Sequence, residues 1–199
     1  DDVGVLRHLP DGRLSWFFDH DRRPGTDRLI AGWGRGSAAD ITPLVGDWNG
    51  DGRDDVGFVM RRSDGWYNWY FDHDGKRGLD HSIRKWGASG DEPIVGDWNG
   101  NGKSNVGLYR APRSGVGGAW FFDLDQRRGT DDSISRWGEA GDEPLVGDWN
   151  GDGRDDVAAV RLSDNRWTWF FDTDRERGSE HTISRWGERG RDRPLVGNF

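Results

Sequence analysis

Cysteine is absent from this 199-residue chain, which excludes disulfides, thiolate metal sites and a cysteine nucleophile. Methionine occurs once and proline seven times. No apolar run approaches the ~18 residues that would cross a bilayer as a helix, so no membrane insertion is expected. No basic run is present either, and with a formal net charge of -8 and a pI near 5.1 the chain would repel a phosphate backbone. Nucleic acid is therefore not an expected partner. Apolar residues make up only 32%, beside 32% charged residues and a mean hydropathy of -0.95, a balance that leans towards disorder. Thirteen Trp and nine Phe reverse that reading, because they supply enough apolar surface for a real core in a chain of this length.

The aromatics recur in step. Pro-Leu-Val-Gly-Asp-Trp ends at Trp48 and Trp149, with an Ile94 variant ending at Trp98 and a Gly-Asn-Phe variant ending at Phe199. Trp-Gly returns at Trp33, Trp86, Trp137 and Trp186. A period of about fifty residues is too long for a heptad, and such a unit is too small to bury its own apolar face, so neighbouring units must stack. Each unit reads as four short strands. In one copy the first is Leu44–Trp48 and the second the alternating Val56–Met60. The third, Trp69–Asp72, matches Trp16–Asp19, Trp120–Asp123 and Trp169–Asp172, residue types suited to a half-buried pleated surface. The fourth carries Ile83 and Trp86. No stretch sustains a helical period, and Gly or Pro interrupts the chain every few residues, so helix should be close to nil.

These features predict an all-β fold: a four-bladed β-propeller of four-stranded antiparallel blades, one domain over residues 1–199 built from four repeats. The second strands place Val3/Val5, Val56/Phe58, Val106/Leu108 and Val157/Ala159 on one face. Gly4, Gly57, Gly107 and Ala158 occupy the other, where small residues admit close backbone approach. The Trp of the third and fourth strands are expected to fill the wedge between blades. The chain starts at the end of a loop and stops at the end of a first strand, so one blade is expected to be shared between the two ends. Closure would bring the termini within roughly 17 Å. A monomeric ring is expected; the alternatives are a larger ring made by two chains and a piece of a longer array.

Loops after the first strand carry metal chemistry. Asp47, Asn49, Asp51 and Asp55 stand at loop positions 1, 3, 5 and 9, with Arg53 offering its backbone carbonyl at position 7. Asp148, Asn150, Asp152, Arg154 and Asp156 repeat the spacing. A hard cation such as Ca2+ takes six to eight oxygens, and Gly at position 6 permits the turn that gathers them. Turns held by Asx hydrogen bonds are the structural alternative. The third copy, Asp97, Asn99, Asn101, Lys103 and Asn105, keeps one carboxylate, so weaker binding is expected there. The split copy, Asn198 and Asp2, is expected to hold no ion. A second acidic pattern follows the aromatic strand, at Asp19/Asp21/Asp27, Asp72/Asp74/Asp80, Asp123/Asp125/Asp131 and Asp172/Asp174/Glu180. Its position 5 carries Arg23, Lys76, Arg127 or Glu176, and a cation in that place favours a structural turn over a metal site.

The run from Val45 to Gly57, Val-Gly-Asp-Trp-Asn-Gly-Asp-Gly-Arg-Asp-Asp-Val-Gly, resembles the FG-GAP repeat of integrin α-subunit propellers and of bacterial VCBS-like relatives. The resemblance covers nearly the whole chain, with Asn at position 3, a weakened third loop and fewer repeats as departures. It implies calcium between the first two strands of a blade, held by the loop residues named above, and extracellular recognition of a protein or glycan ligand. Five His show no metal-ligand spacing and no nucleophile elbow appears, so catalysis is not expected. The leading expectation is a secreted, calcium-stabilised recognition module of lectin-like kind. The alternative is a structural or adhesion scaffold within a larger secreted protein. Sugars stack on exposed aromatics, and Trp66, Tyr67 and Trp167 are the ones not repeated in every unit.

Overall fold

Alternating aromatic runs become strands in the computed structural model, which describes residues 3–21, 23, 25–113 and 117–197. Among the described residues, fifteen strands form four antiparallel sheets, each in sequential order. The first has three strands, β1 (Val3–His8), β2 (Arg13–Asp19) and β3 (Arg28–Arg35). The others have four: β4 (Ile41–Gly46), β5 (Asp55–Arg61), β6 (Trp66–Asp72) and β7 (His81–Ala88); β8 (Asp91–Gly96), β9 (Asn105–Arg110), β10 (Ala119–Phe122) and β11 (Asp132–Ser135); and β12 (Glu143–Gly147), β13 (Asp156–Ser163), β14 (Arg166–Asp172) and β15 (His181–Ile183). Among the described residues there is no helix, so no helix is long and apolar enough to cross a membrane. Residues 194–197 carry no strand, and Asp2, Asn198 and Phe199 of the expected shared blade lie outside the described residues.

The chain divides into two compact units, one of Asp1–Trp48 with Arg53–Ser89 and one of Asn49–Gly52 with Gly90–Phe199. In the first, Leu14, Trp16, Ile30 and Trp33 from β2 and β3 form one buried cluster with Ile41, Val56 and Phe58 of the next sheet. The second unit repeats the relation: Trp120, Phe122, Ile134 and Trp137 cluster with Val157 and Ala159 of β13. Within each unit the first sheet thus lays its paired Trp on the second strand of the sheet that follows it. The tilted Trp pair recurs in every sheet, with centroids 5.7, 5.5, 5.3 and 5.7 Å apart. In each, the indole N–H of the first Trp of the pair donates to the backbone carbonyl of the second, at 3.3, 2.8, 3.2 and 3.4 Å. The bond satisfies a polar atom that burial would otherwise strand.

A bidentate ion pair, not foreseen from sequence, ties second strand to first. Arg110 grips Asp91 at 2.7 and 2.8 Å, and Arg161 grips Asp142 at 2.8 and 2.9 Å. Arg61 holds Asp40 through one oxygen only, Nε and Nη2 both donating to Oδ1 at 3.1 and 2.8 Å, and is more exposed to solvent. The Asp142 side chain is fully buried and Arg161 also meets Glu139 at 2.6 Å. Asp142→Ala should therefore cost about 2 kcal/mol, since it removes the bidentate, charge-assisted bonds to Arg161 and leaves only Glu139 facing the guanidinium. Asp40→Ala should cost under about 1 kcal/mol, as an exposed pair does. Urea denaturation of the two variants side by side checks the order.

Candidate functional site

The first-type loops are closed by their own side chains. Asp148 Oδ1 accepts the N–H of Gly151 at 2.6 Å and of Asp152 at 3.1 Å, and Oδ2 accepts that of Gly153 at 2.9 Å. Asn150 takes the Asp152 N–H at 2.8 Å, Asp152 takes the Arg154 N–H at 2.8 Å, and Asp156 takes the Trp149 N–H at 3.2 Å. Gly153 at position 6 has φ +86°, a left-handed value that other residues adopt only with strain. These donors, Gly153 first, hold the Asp148 carboxyl below its ordinary range. Burial, with the Asp152 and Asp148 charges adding, pushes Asp156 up to about 6.

The third copy folds alike despite its lost charges: Asp97 accepts the N–H groups of Gly100, Asn101 and Gly102 at 2.8, 3.1 and 2.7 Å. Asn99 takes the Asn101 N–H at 3.2 Å, and Asn101 takes that of Lys103 at 2.9 Å. Asn105 Oδ1, at position 9, is buried without a donor. In the loop from Asp47, Asn49 accepts the Asp51 N–H at 2.8 Å; Arg53 lies in the same loop and Asp55 opens β5. Backbone closure therefore persists where the carboxylates do not, so loop shape and loop charge are separate properties of this sequence.

The second-type loops, which follow β2, β6, β10 and β14, gather charge more tightly. Among the described residues, three acidic side chains whose ligand atoms all lie within 4.8 Å of one another occur at Asp19/Asp21/Asp27, Asp72/Asp74/Asp80, Asp123/Asp125/Asp131 and Asp172/Asp174/Glu180. The Asx bonds expected of a structural turn are present: Asp123 Oδ1 accepts the N–H of Asp125 at 3.1 Å and of Gln126 at 2.5 Å. Asp131 accepts the Leu124 N–H at 2.7 Å. The position-5 cations do not enter these clusters as bonded partners of position 1. Lys76 pairs with Asp74 at 2.9 Å and Arg127 with Asp125 at 3.8 Å, both largely in solvent.

Asp72, Asp123 and Asp172 are fully buried, and in each Oδ2 finds no hydrogen-bond partner. Burial pushes Asp72 up to about 6 and Asp123 and Asp172 up to about 7, against the backbone N–H groups that favour the charge. Local backbone follows the same plan. Position 4 sits at φ +60°, +58° and +59° in Gly75, Gln126 and Arg175. A Cβ at Gly75 would meet the Arg28 guanidinium, which would have to swing aside.

Of the aromatic candidates, Trp66 is exposed, whereas Tyr67 and Trp167 are buried. Trp167 nevertheless lines a cavity of about 380 Å³ with Trp169, Trp186, Asp192 and Arg193, and its indole nitrogen has no acceptor. Trp186 is 63% exposed although its counterparts Trp33, Trp86 and Trp137 are buried. Sequence reasoning overlooked it for that reason, since the repeat marks it as a packing residue. A larger cavity of about 690 Å³ is lined by Arg113, Arg136, Trp137 and Arg161; Arg161 there is already neutralised by Asp142 and Glu139. Comparison of the sequence with known protein families and with curated proteins finds no match.

Proposed function

We propose that this chain is a non-catalytic, calcium-stabilised recognition module that works outside the cell and binds carbohydrate, its four sheets serving as the blades of a four-bladed propeller closed by a blade shared between the chain ends. The observation that carries the recognition reading is the Trp-lined cavity. Sugar rings stack on aromatic faces while a few polar groups fix orientation. Trp186 offers an exposed face, Asp192 and Arg193 line the same cavity, and the Trp167 N–H lacks an acceptor that a sugar hydroxyl would supply. Blade stacking is supported by the same Trp-on-second-strand relation in both units. The non-catalytic reading is supported by repetition: the buried, raised aspartates recur in three sheets, as structural features do and a single active centre does not.

A glycan array probed with calcium present is expected to return binders, with tryptophan fluorescence quenched on titration. Trp186→Ala should abolish that binding while leaving the melting temperature nearly unchanged, because the removed ring is mostly in solvent. An array without binders would retire the carbohydrate reading in favour of the scaffold. One observation supports that second reading: Val3 and Val5 are 63% and 61% exposed, while Val56 and Phe58 at the same places in the repeat are covered.

A further inference from the structure

We propose that three of the second-type loops each hold one divalent cation, at Asp72/Asp74/Asp80, Asp123/Asp125/Asp131 and Asp172/Asp174/Glu180. Two independent observations meet here. The first is convergence, with one ligand atom from each of three carboxylates inside 4.8 Å. Three like charges that close repel one another unless a positive charge joins them. The second is the orphaned oxygen: Oδ2 of Asp72, Asp123 and Asp172 is buried in a fully covered side chain, and no protein donor reaches it. Buried carboxylate oxygens without a donor cost free energy, and they are found where a proton, a water or a metal completes them.

The protein cations nearby are spent elsewhere. Lys76 and Arg127 pair with the position-3 aspartates from the solvent side. Arg28 donates to the Asp74 carbonyl at 3.4 Å. The Arg175 guanidinium donates to the Trp98 and Asp155 carbonyls and meets Asp132 at 3.5 Å. None of these bonds reaches the orphaned oxygens, which leaves a position for a small hard ion taking oxygen ligands. The Asp19 loop is left out because Asp19 is not fully buried and two residues of its loop lie outside the described set.

The proposal stands apart from the carbohydrate reading and from the Asp47 and Asp148 loops, so it can fail alone. Calorimetric titration with calcium chloride, on the whole chain, compares the native protein with the triple variant Asp72→Asn, Asp123→Asn, Asp172→Asn. Asparagine keeps the shape and removes the charge. The number of ions bound should fall by three, and the metal-free triple variant should melt no lower than the metal-free native chain because its orphaned charges are gone. An unchanged ion count would overturn the proposal. Should the triple variant fail to fold, Asp123→Asn alone decides: one ion lost supports the site, and none lost rejects it. A parallel Asp47→Asn, Asp148→Asn variant separates the two loop types, since its loss of ions leaves the three proposed here in place.

Discussion

Alanine at Trp120 is expected to destabilise the second unit by about 3–5 kcal/mol, the usual cost of emptying a large aromatic site in a packed core. Trp120 is 0% exposed, lies 4.5 Å from the Tyr109 ring and 5.3 Å from the Trp137 ring, and donates to the Trp137 carbonyl at 3.2 Å. Truncation removes the filler of the wedge against β13 and strands a carbonyl in the same stroke. Typical domains hold only about 5–15 kcal/mol in total, so unfolding at room temperature is within reach. Trp186→Ala provides the contrast, with a cost under about 1 kcal/mol expected for a ring mostly in solvent. Urea melts followed by circular dichroism would measure both. A small loss at Trp120 would mean that the paired tryptophans do not carry the sheet-on-sheet packing.

Chelation should produce the other large effect. Each calcium site filled at a hundredfold excess over its dissociation constant adds about 2.7 kcal/mol of stability, so EDTA should lower the melting transition and calcium restore it. Magnesium at the same concentration should restore less, because it prefers a stricter octahedral shell and keeps its waters. Asp148→Asn should shrink the calcium-dependent shift. Asn101→Asp should enlarge it, since the third loop already has the closed backbone of the Asp148 loop and lacks only charge. Differential scanning calorimetry with and without calcium reads all of this. An EDTA-insensitive transition would remove the metal from the account of stability.

Strand cores were legible where side chains alternate, although β4 ends at Gly46 rather than Trp48 and β11 and β15 stop before Trp137 and Trp186. Val56–Met60 was expected to be a strand and lies within β5, and Trp69–Asp72 within β6, because period-two patterning acts through adjacent residues and needs no distant partner. The Trp pairs were legible by repetition, as was the near absence of helix. The loops were legible only in part. Spacing pointed to the Asp47 and Asp148 loops as metal sites, while Lys76 and Arg127 argued against the second set. Their side chains in fact pair with Asp74 and Asp125 from the solvent side, a rotamer and exposure matter that residue spacing does not encode. Trp186 was misread for a related reason: identical sequence context fixes what a residue can pack on, and not whether anything is there to cover it.

By itself the sequence determined strand order, turn chemistry and which faces are apolar, because these follow from interactions between residues near in the chain. Only the tertiary structure decided which carboxylates converge, which oxygens are left without a donor and which tryptophans stay in water. Those outcomes depend on desolvation, and desolvation is set by what the rest of the fold places around a group rather than by the group's own neighbours.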